Sequence, residues 1–166
     1  SVGDRMGLPN GWLNADFMKT TSYTPKLIQY SKYYKTFSNV LRIRTVSAEY
    51  LVVMKLMAGR QYKNDLSDVV GILLEQEKSQ QQICLEDIKK AAEKLYGGYD
   101  KLSEESRTFI ETVYQNPDLT QLYAKVREDE KTNKDILIEF EDNYPDVLNG
   151  DNLTDILKAA RAKKKG

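Results

Sequence analysis

The feature that most constrains the fold is a series of apolar residues at helical spacing, which begins near residue 47 and continues through most of the chain. Leu66, Val69, Val70 and Leu73 recur at i, i+3, i+4 and i+7, the pattern of a helix with one buried face. Similar stripes predict helices over residues 48–58, 65–77 and 85–96, another after residue 103, and a last one from residue 153. The chain is therefore expected to be mainly helical.

Residues typical of helix ends support these boundaries. Ser47 and Ser103 precede two of the stripes and are predicted N-caps, because a serine hydroxyl accepts a hydrogen bond from a free backbone N–H group of the first turn. Gly59 and the Gly97-Gly98 pair follow two others, as glycine does where a helix ends in a left-handed residue. The predicted helices thus have local signals for starting and stopping.

A longer stretch, over residues 117–143, is less regular. Asn116-Pro117 is typical of an N-cap followed by proline at the first helical position. Apolar residues then stop at Val126 and resume at Ile136, and residues 127–134 between them are almost all charged or polar. We expect one long helix with a solvated middle, or two helices joined at a kink.

The clearest strand candidate is residues 40–46, which alternate and are rich in β-branched side chains. Residues 27–34 fit either a helix or a strand. The predicted fold class is mainly α (α+β), a helical domain with a small sheet near residues 40–46. We expect this strand to be the edge of a sheet completed upstream.

The composition limits which kinds of catalytic and binding site the chain can form. The 166 residues carry 25 basic and 25 acidic side chains, no histidine and one cysteine, Cys84. The lack of histidine excludes Ser-His-Asp and Cys-His nucleophilic systems, and zero formal charge argues against a dedicated nucleic-acid binder. Cys84 is expected to be a small buried residue at a helix start. With no long apolar run, we expect a cytoplasmic protein that does not enter a membrane.

The most informative segment is residues 41–74: a strand, a helix bearing Lys55, a loop with Arg60 and Lys63, and a helix that begins with Asp65 and Asp68. Its order and spacing resemble those of bacterial nucleotidyltransferase-like proteins related to the abortive-infection AbiEii toxins. The segment Gly-Leu-Pro-Asn-Gly-Trp-Leu-Asn at residues 7–14 is similar to the one that precedes this strand in such proteins. The resemblance covers residues 7–75 directly, and the later helices only loosely.

The resemblance implies a function for the parent protein: magnesium-dependent transfer of a nucleoside monophosphate from an NTP to an RNA or protein acceptor. It divides the chain into residues 1–78, the rear of the nucleotidyltransferase palm with its following helices, and residues 79–166, a helical C-terminal region. A cognate antitoxin protein is an implied partner.

The resemblance also implies supporting roles for five residues. Lys55, Asp65 and Asp68 would assist catalysis, and Arg60 and Lys63 would bind nucleotide phosphates. Simpler interpretations remain for each of them. Lys55 lies in an apolar helix and either extends to solvent or meets a carboxylate, the two aspartates fit a helix cap and first-turn acid, and Arg60 and Lys63 fit solvated loop charges.

One departure from the family pattern bears on activity. The family signature, a Gly-Gly or Gly-Ser turn followed by Asp-x-Asp on a strand that holds magnesium, does not occur in residues 1–45. The chain starts at Ser1 without methionine, and we expect it to be the C-terminal portion of a longer protein, inactive alone and binding neither Mg²⁺ nor NTP. The alternative is a non-catalytic helical module that binds a protein partner. A third interpretation is a helical nucleic-acid binder.

Overall fold

The computed structural model describes residues 7, 16–150 and 152–164, and confirms a mainly α fold with a small sheet. Two 3₁₀ segments, Asp16–Lys19 and Tyr99–Lys101, accompany seven α-helices and two strands in the described part of the chain. In chain order these are α1 (Lys26–Tyr30), β1 (Ser31–Phe37), β2 (Leu41–Val46), α2 (Ala48–Ala58), α3 (Asp65–Lys78), α4 (Leu85–Tyr96), α5 (Glu104–Gln115), α6 (Leu119–Asn143) and α7 (Leu153–Lys164).

The glycine stops and one of the two serine caps act as the sequence predicts. Gly59 and Gly97 follow α2 and α4 in left-handed conformations, with φ of 52° and 85°, which glycine adopts without the steric cost other residues meet. The Ser103 hydroxyl accepts a hydrogen bond from the backbone N–H of Ser106, 3.1 Å away. Ser47 occupies the N-cap of α2 but makes no side-chain cap hydrogen bond; its hydroxyl donates to Glu49 instead.

The predicted strand pairs with the segment just before it. β1 and β2 form an antiparallel hairpin in which Ser31 lies opposite Val46 and Phe37 opposite Leu41. Of the three connecting residues, 38–40, Ser38 and Asn39 have φ of 48° and 55°, and two consecutive positive φ angles are typical of the tight turns in β-hairpins. The ambiguous stretch 27–34 is thus divided, helical up to Tyr30 and extended from Ser31.

The hydrophobic core lies among α2, α3, α4 and α5. Its fully buried side chains come from all four helices and include Val52, Val69, Ile88 and Ile110. A smaller apolar cluster of Ile136, Leu137 and Leu157 joins the second half of α6 to α7. The long helix α6 therefore packs on the main core through Val126 and on α7 through its later turns.

In this part of the fold, two predictions about single residues and one about the middle of α6 are wrong. The N-cap of α6 is Asp118, whose carboxylate accepts from the Gln121 N–H, while Asn116 ends α5. Cys84 is at a helix start as expected but is exposed; its thiol donates to Asp87 in a capping box. The middle of α6 is not wholly solvated, because Glu130 and Asn133 are only 3% and 4% exposed.

The first of the two alternatives for the 117–143 stretch is confirmed in outline, since α6 is one continuous helix. Among the described residues, no helix is both long enough and apolar enough to cross a bilayer.

Candidate functional site

The site that the sequence points to lies where α2 ends and α3 begins. Lys55 is in the last turn of α2, and Arg60 directly follows the left-handed Gly59. Asp65 and Asp68 occupy the first turn of α3. The sharp reversal at Gly59 sends the chain back along α2, so that these four charged side chains meet in one network.

Asp65 is the centre of this network. Its side chain is 2% exposed. Its Oδ2 accepts a hydrogen bond from Arg60 Nε at 2.7 Å, and its Oδ1 accepts from Arg60 Nη2 at 3.3 Å. Lys55 Nζ donates to the same Oδ1 at 3.3 Å. A planar guanidinium held at two points by a buried carboxylate has a fixed orientation.

Lys55 is shared between two acids. Its Nζ lies 2.7 Å from Asp68 Oδ2 as well as 3.3 Å from Asp65. The sequence left two possibilities for Lys55, extension to solvent or contact with a carboxylate, and the structure shows contact with carboxylates. The side chains of both Lys55 and Arg60 are nevertheless 38% exposed, so each cation has one side on a buried acid and the other at the surface.

Asp65 does not cap its helix. The N-cap position of α3 is Asn64, and the side chain of that residue does not make the cap hydrogen bond. The Asp65 carboxylate is directed at Lys55 and Arg60 instead, although both first-turn aspartates lie where the helix dipole favours negative charge.

The pKa values follow from these contacts. Burial alone would raise the pKa of Asp65, but the hydrogen bond from Arg60 and the charges of Arg60 and Lys55 outweigh it and lower the pKa. Burial lowers the pKa of Lys55, and the hydrogen bonds and charges of Asp68 and Asp65 together more than reverse that effect and raise it. The hydrogen bond with Asp65 raises the pKa of Arg60. All three groups are therefore ionised at neutral pH.

Lys63 is not part of the network. It is exposed, and no hydrogen bond or ion pair joins it to the other four residues in the described part of the chain.

Two buried polar residues of α6 lie beside this site and were not predicted from the sequence. Glu130 reaches the start of α3, where its Oε1 accepts from the Leu66 N–H at 2.8 Å and its Oε2 from the Ser67 N–H at 3.3 Å. It thus satisfies the free N–H groups that Asn64 leaves unbonded. Burial raises the pKa of Glu130, and these hydrogen bonds only partly offset that effect.

Asn133, the second of these residues, ties the loop after α2 to the last helix. Its Nδ2 donates to the Gln61 carbonyl at 2.7 Å, and its Oδ1 accepts from Arg161 Nε at 3.1 Å. One signal in the sequence marks both missed residues: Glu130 and Asn133 follow Val126 at i+4 and i+7, in line with the apolar stripe. Their positions, rather than their polarity, predict burial.

The two acids of the network orient the cationic side chains of Lys55 and Arg60, but the network does not form a metal site. In residues 7, 16–150 and 152–164, no three side chains from Asp, Glu, Cys and His converge to hold a metal ion. The described residues therefore do not fit a magnesium centre, and what they present is two positioned, half-exposed positive charges.

Comparison with known proteins adds no further constraint. No protein-family model, curated protein or solved structure matches this chain. The resemblance drawn from the sequence thus stays a prediction, and any function assigned to the chain rests on the geometry of the site.

Proposed function

We propose that this chain is the helical rear part of a nucleotidyltransferase-type protein, in which Lys55 and Arg60 contact the phosphates of a bound nucleotide. The observation that carries the proposal is the buried carboxylate of Asp65, which holds both cations while leaving each 38% exposed. The parent protein would transfer a nucleoside monophosphate from an NTP to an RNA or protein acceptor in the cytoplasm.

The hydrogen bonds of Arg60 suit this role. Asp65 accepts hydrogen bonds from Nε–H and from one N–H of Nη2, which uses two of the five N–H groups of the guanidinium. Nη1 makes no hydrogen bond within the described residues, so a second edge of the group is available to a phosphate. Because Asp65 fixes the plane in advance, a phosphate meets an ordered donor pair and not a freely rotating side chain.

Asp65 and Asp68 are positioning residues in this proposal. Each shares Lys55, and Asp65 also orients Arg60. The two cations and two acids give the network no net charge. It therefore orients a bound phosphate but adds little net electrostatic attraction. That balance fits a supporting role, with most of the phosphate charge neutralised elsewhere.

Magnesium is the group expected to neutralise that charge in phosphoryl chemistry. Since the described residues do not form a site for it, we place the magnesium carboxylates in another segment of the parent protein and derive no step through the metal. Because the family signature does not occur in residues 1–45, we expect no transfer activity from residues 1–166 alone.

The first experiment is to read the coding DNA upstream of the Ser1 codon and to express the whole open reading frame. We expect a Gly-Gly or Gly-Ser turn followed by Asp-x-Asp, and magnesium-dependent transfer of label from an α-³²P NTP to RNA or protein. Asp-x-Asp→Asn-x-Asn should abolish the transfer. A frame without those acids, or an intact protein that transfers no label with any of the four NTPs, would contradict the proposal.

A second candidate function is a non-catalytic module that binds a protein partner such as an antitoxin, and the hairpin favours it. Tyr33, Tyr34, Phe37, Val40 and Leu41 are between 42% and 88% exposed. Within the described residues the sheet has two strands, so in that part of the chain each strand has an open edge that another strand can pair with.

The two candidates respond to different substitutions. The double substitution Tyr34→Ser and Val40→Ser on the hairpin should abolish partner binding and leave nucleotide binding unchanged. Arg60→Met should abolish nucleotide binding and leave partner binding unchanged. Calorimetry with the product of the neighbouring gene measures the first interaction. No binding to that product would remove the second candidate.

A further inference from the structure

A separate pocket of about 220 Å³ lies between the loop that follows α2 and the start of α7. The loop contributes Arg60 and Gln61, and α7 contributes Thr154, Lys158 and Arg161. Arg60 is therefore at the border between this pocket and the network around Asp65. No role for the residues of α7 was predicted from the sequence.

All the charged side chains among the described residues that line this pocket are positive. Arg60, Lys158 and Arg161 line it, and none of its described lining residues is Asp or Glu. Neither Lys158 nor Arg161 forms an ion pair with any carboxylate in the described ranges. Arg60 is already paired with Asp65, but in a chain with no net charge the two other cations of the pocket, which have no carboxylate partner in the described ranges, make it an attractive site for an anion.

Arg161 is held in place without being neutralised. Its Nε donates to Asn133 Oδ1 and its Nη2 to Gln61 Oε1, each at 3.1 Å. Both acceptors are uncharged amides, and Nη1 makes no hydrogen bond among the described residues. Because Gln61 accepts through Oε1, its Nε2 group is left as a further donor beside the pocket.

The N-terminus of α7 also borders the pocket, and the acid of its first turn, Asp155, is not among the residues that line it. Leu153 and Thr154 line the pocket and are the first two residues of this helix of 12 residues. Backbone N–H groups and the positive end of the helix dipole lie at such a terminus, where they favour negative ligands.

We propose that this pocket binds a phosphate group, as inorganic phosphate or pyrophosphate or as the terminal phosphates of a larger molecule. Two guanidinium groups, an ammonium group and an amide are the donors that phosphate oxygens bind. A volume of about 220 Å³ is below the roughly 300–1,000 Å³ of pockets that enclose drug-sized ligands. The pocket therefore accepts phosphates and leaves the rest of a larger ligand outside.

The test is calorimetric titration of the chain with sodium pyrophosphate, without magnesium, in buffer of constant ionic strength. Lys158→Glu changes an exposed side chain that makes no hydrogen bond or ion pair in the described structure, so the fold should be retained. Lys78→Glu is the matched control, since Lys78 is also exposed and lies at the far end of α3. Both variants change the net charge by the same amount.

We expect Lys158→Glu to weaken pyrophosphate binding by at least about tenfold, the size of one charge-assisted hydrogen bond, and Lys78→Glu to change it by less than about twofold. Arg161→Gln should weaken binding similarly, and Arg161→Lys less. Equal losses in the two Lys→Glu variants, or no binding by the unaltered chain at millimolar pyrophosphate, would overturn the proposal.

A second titration identifies the source of the phosphate. If the ligand is a larger molecule, ADP should bind at least as tightly as pyrophosphate and show the same dependence on Lys158. If the ligand is free pyrophosphate, ADP should bind more weakly. Since neither magnesium nor nucleotidyl transfer enters these measurements, they hold whether or not the proposed function fails.

Discussion

Replacement of Asp65 by asparagine tests whether one buried carboxylate holds the network together. The change keeps the size of the side chain and removes its charge, leaving Arg60 and Lys55 without their buried partner. Breaking a buried ion pair on one side costs about 3–5 kcal/mol. Arg60 and Lys55 are 38% exposed and regain some hydration, so we expect a smaller loss, about 2–3 kcal/mol of the free energy of unfolding.

The assay is urea denaturation followed by circular dichroism at 222 nm, with Asp68→Asn as the control. Asp68 is 42% exposed, and Lys55 is its one ion-pair partner among the residues that the structure describes, so its replacement should cost less than about 1 kcal/mol. For a chain of this length, the Asp65→Asn loss corresponds to a melting temperature lowered by roughly 4–12 °C. Equal losses in the two variants would refute the central position of Asp65.

The same variant has a defined dependence on pH. The pKa of Asp65 is lowered in the folded protein, so the stability it contributes is present above its ordinary pKa of about 3.9 and is lost as the pH falls through the lowered value. The difference between wild type and Asp65→Asn should be constant from pH 5 to 7 and shrink below about pH 4. A difference that grows on acidification would contradict the assignment.

Three other predictions concern Glu130 beside the site, the glycine that ends α2, and Cys84 at the start of α4. Because burial raises the pKa of Glu130, wild type should lose stability relative to Glu130→Gln as the pH rises from about 4.3 through that raised value, measured by urea denaturation at each pH. Gly59→Ala should destabilise more than Gly97→Ala in thermal melts, since both are left-handed but only the first places a Cβ 2.8 Å from Ser106 Oγ. Cys84 should react with Ellman's reagent in the native protein, and Cys84→Ser should keep full stability because serine is also a good N-cap.

The helices could be predicted from the sequence because their signals are local. The stripe from Leu66 to Leu73 and the glycine after α2 each act within a few residues, where periodicity and backbone sterics decide the structure. The four charges of the network are also close in sequence, so their meeting around one reversal of the chain follows from the helix–loop–helix order.

The remaining features depend on distant contacts. Glu130 binds N–H groups 63 and 64 residues away; its position in line with the apolar stripe predicts burial, but nothing local identifies its partners. Arg161 bonds Gln61 across 100 residues, so the pocket at α7 could not be inferred before the packing was known. The prediction that Cys84 is buried is wrong for a related reason, because burial at a helix start depends on which distant residues pack over it.

The most direct test of the central claim is equilibrium binding of nucleotides to the intact protein encoded by the whole reading frame, with magnesium present. Arg60→Met and Lys55→Met should each weaken NTP binding by at least about tenfold, while Lys63→Met, the exposed lysine outside the network, should have little effect. Equal binding by all three variants and the wild type would show that the cations held by Asp65 only stabilise the fold.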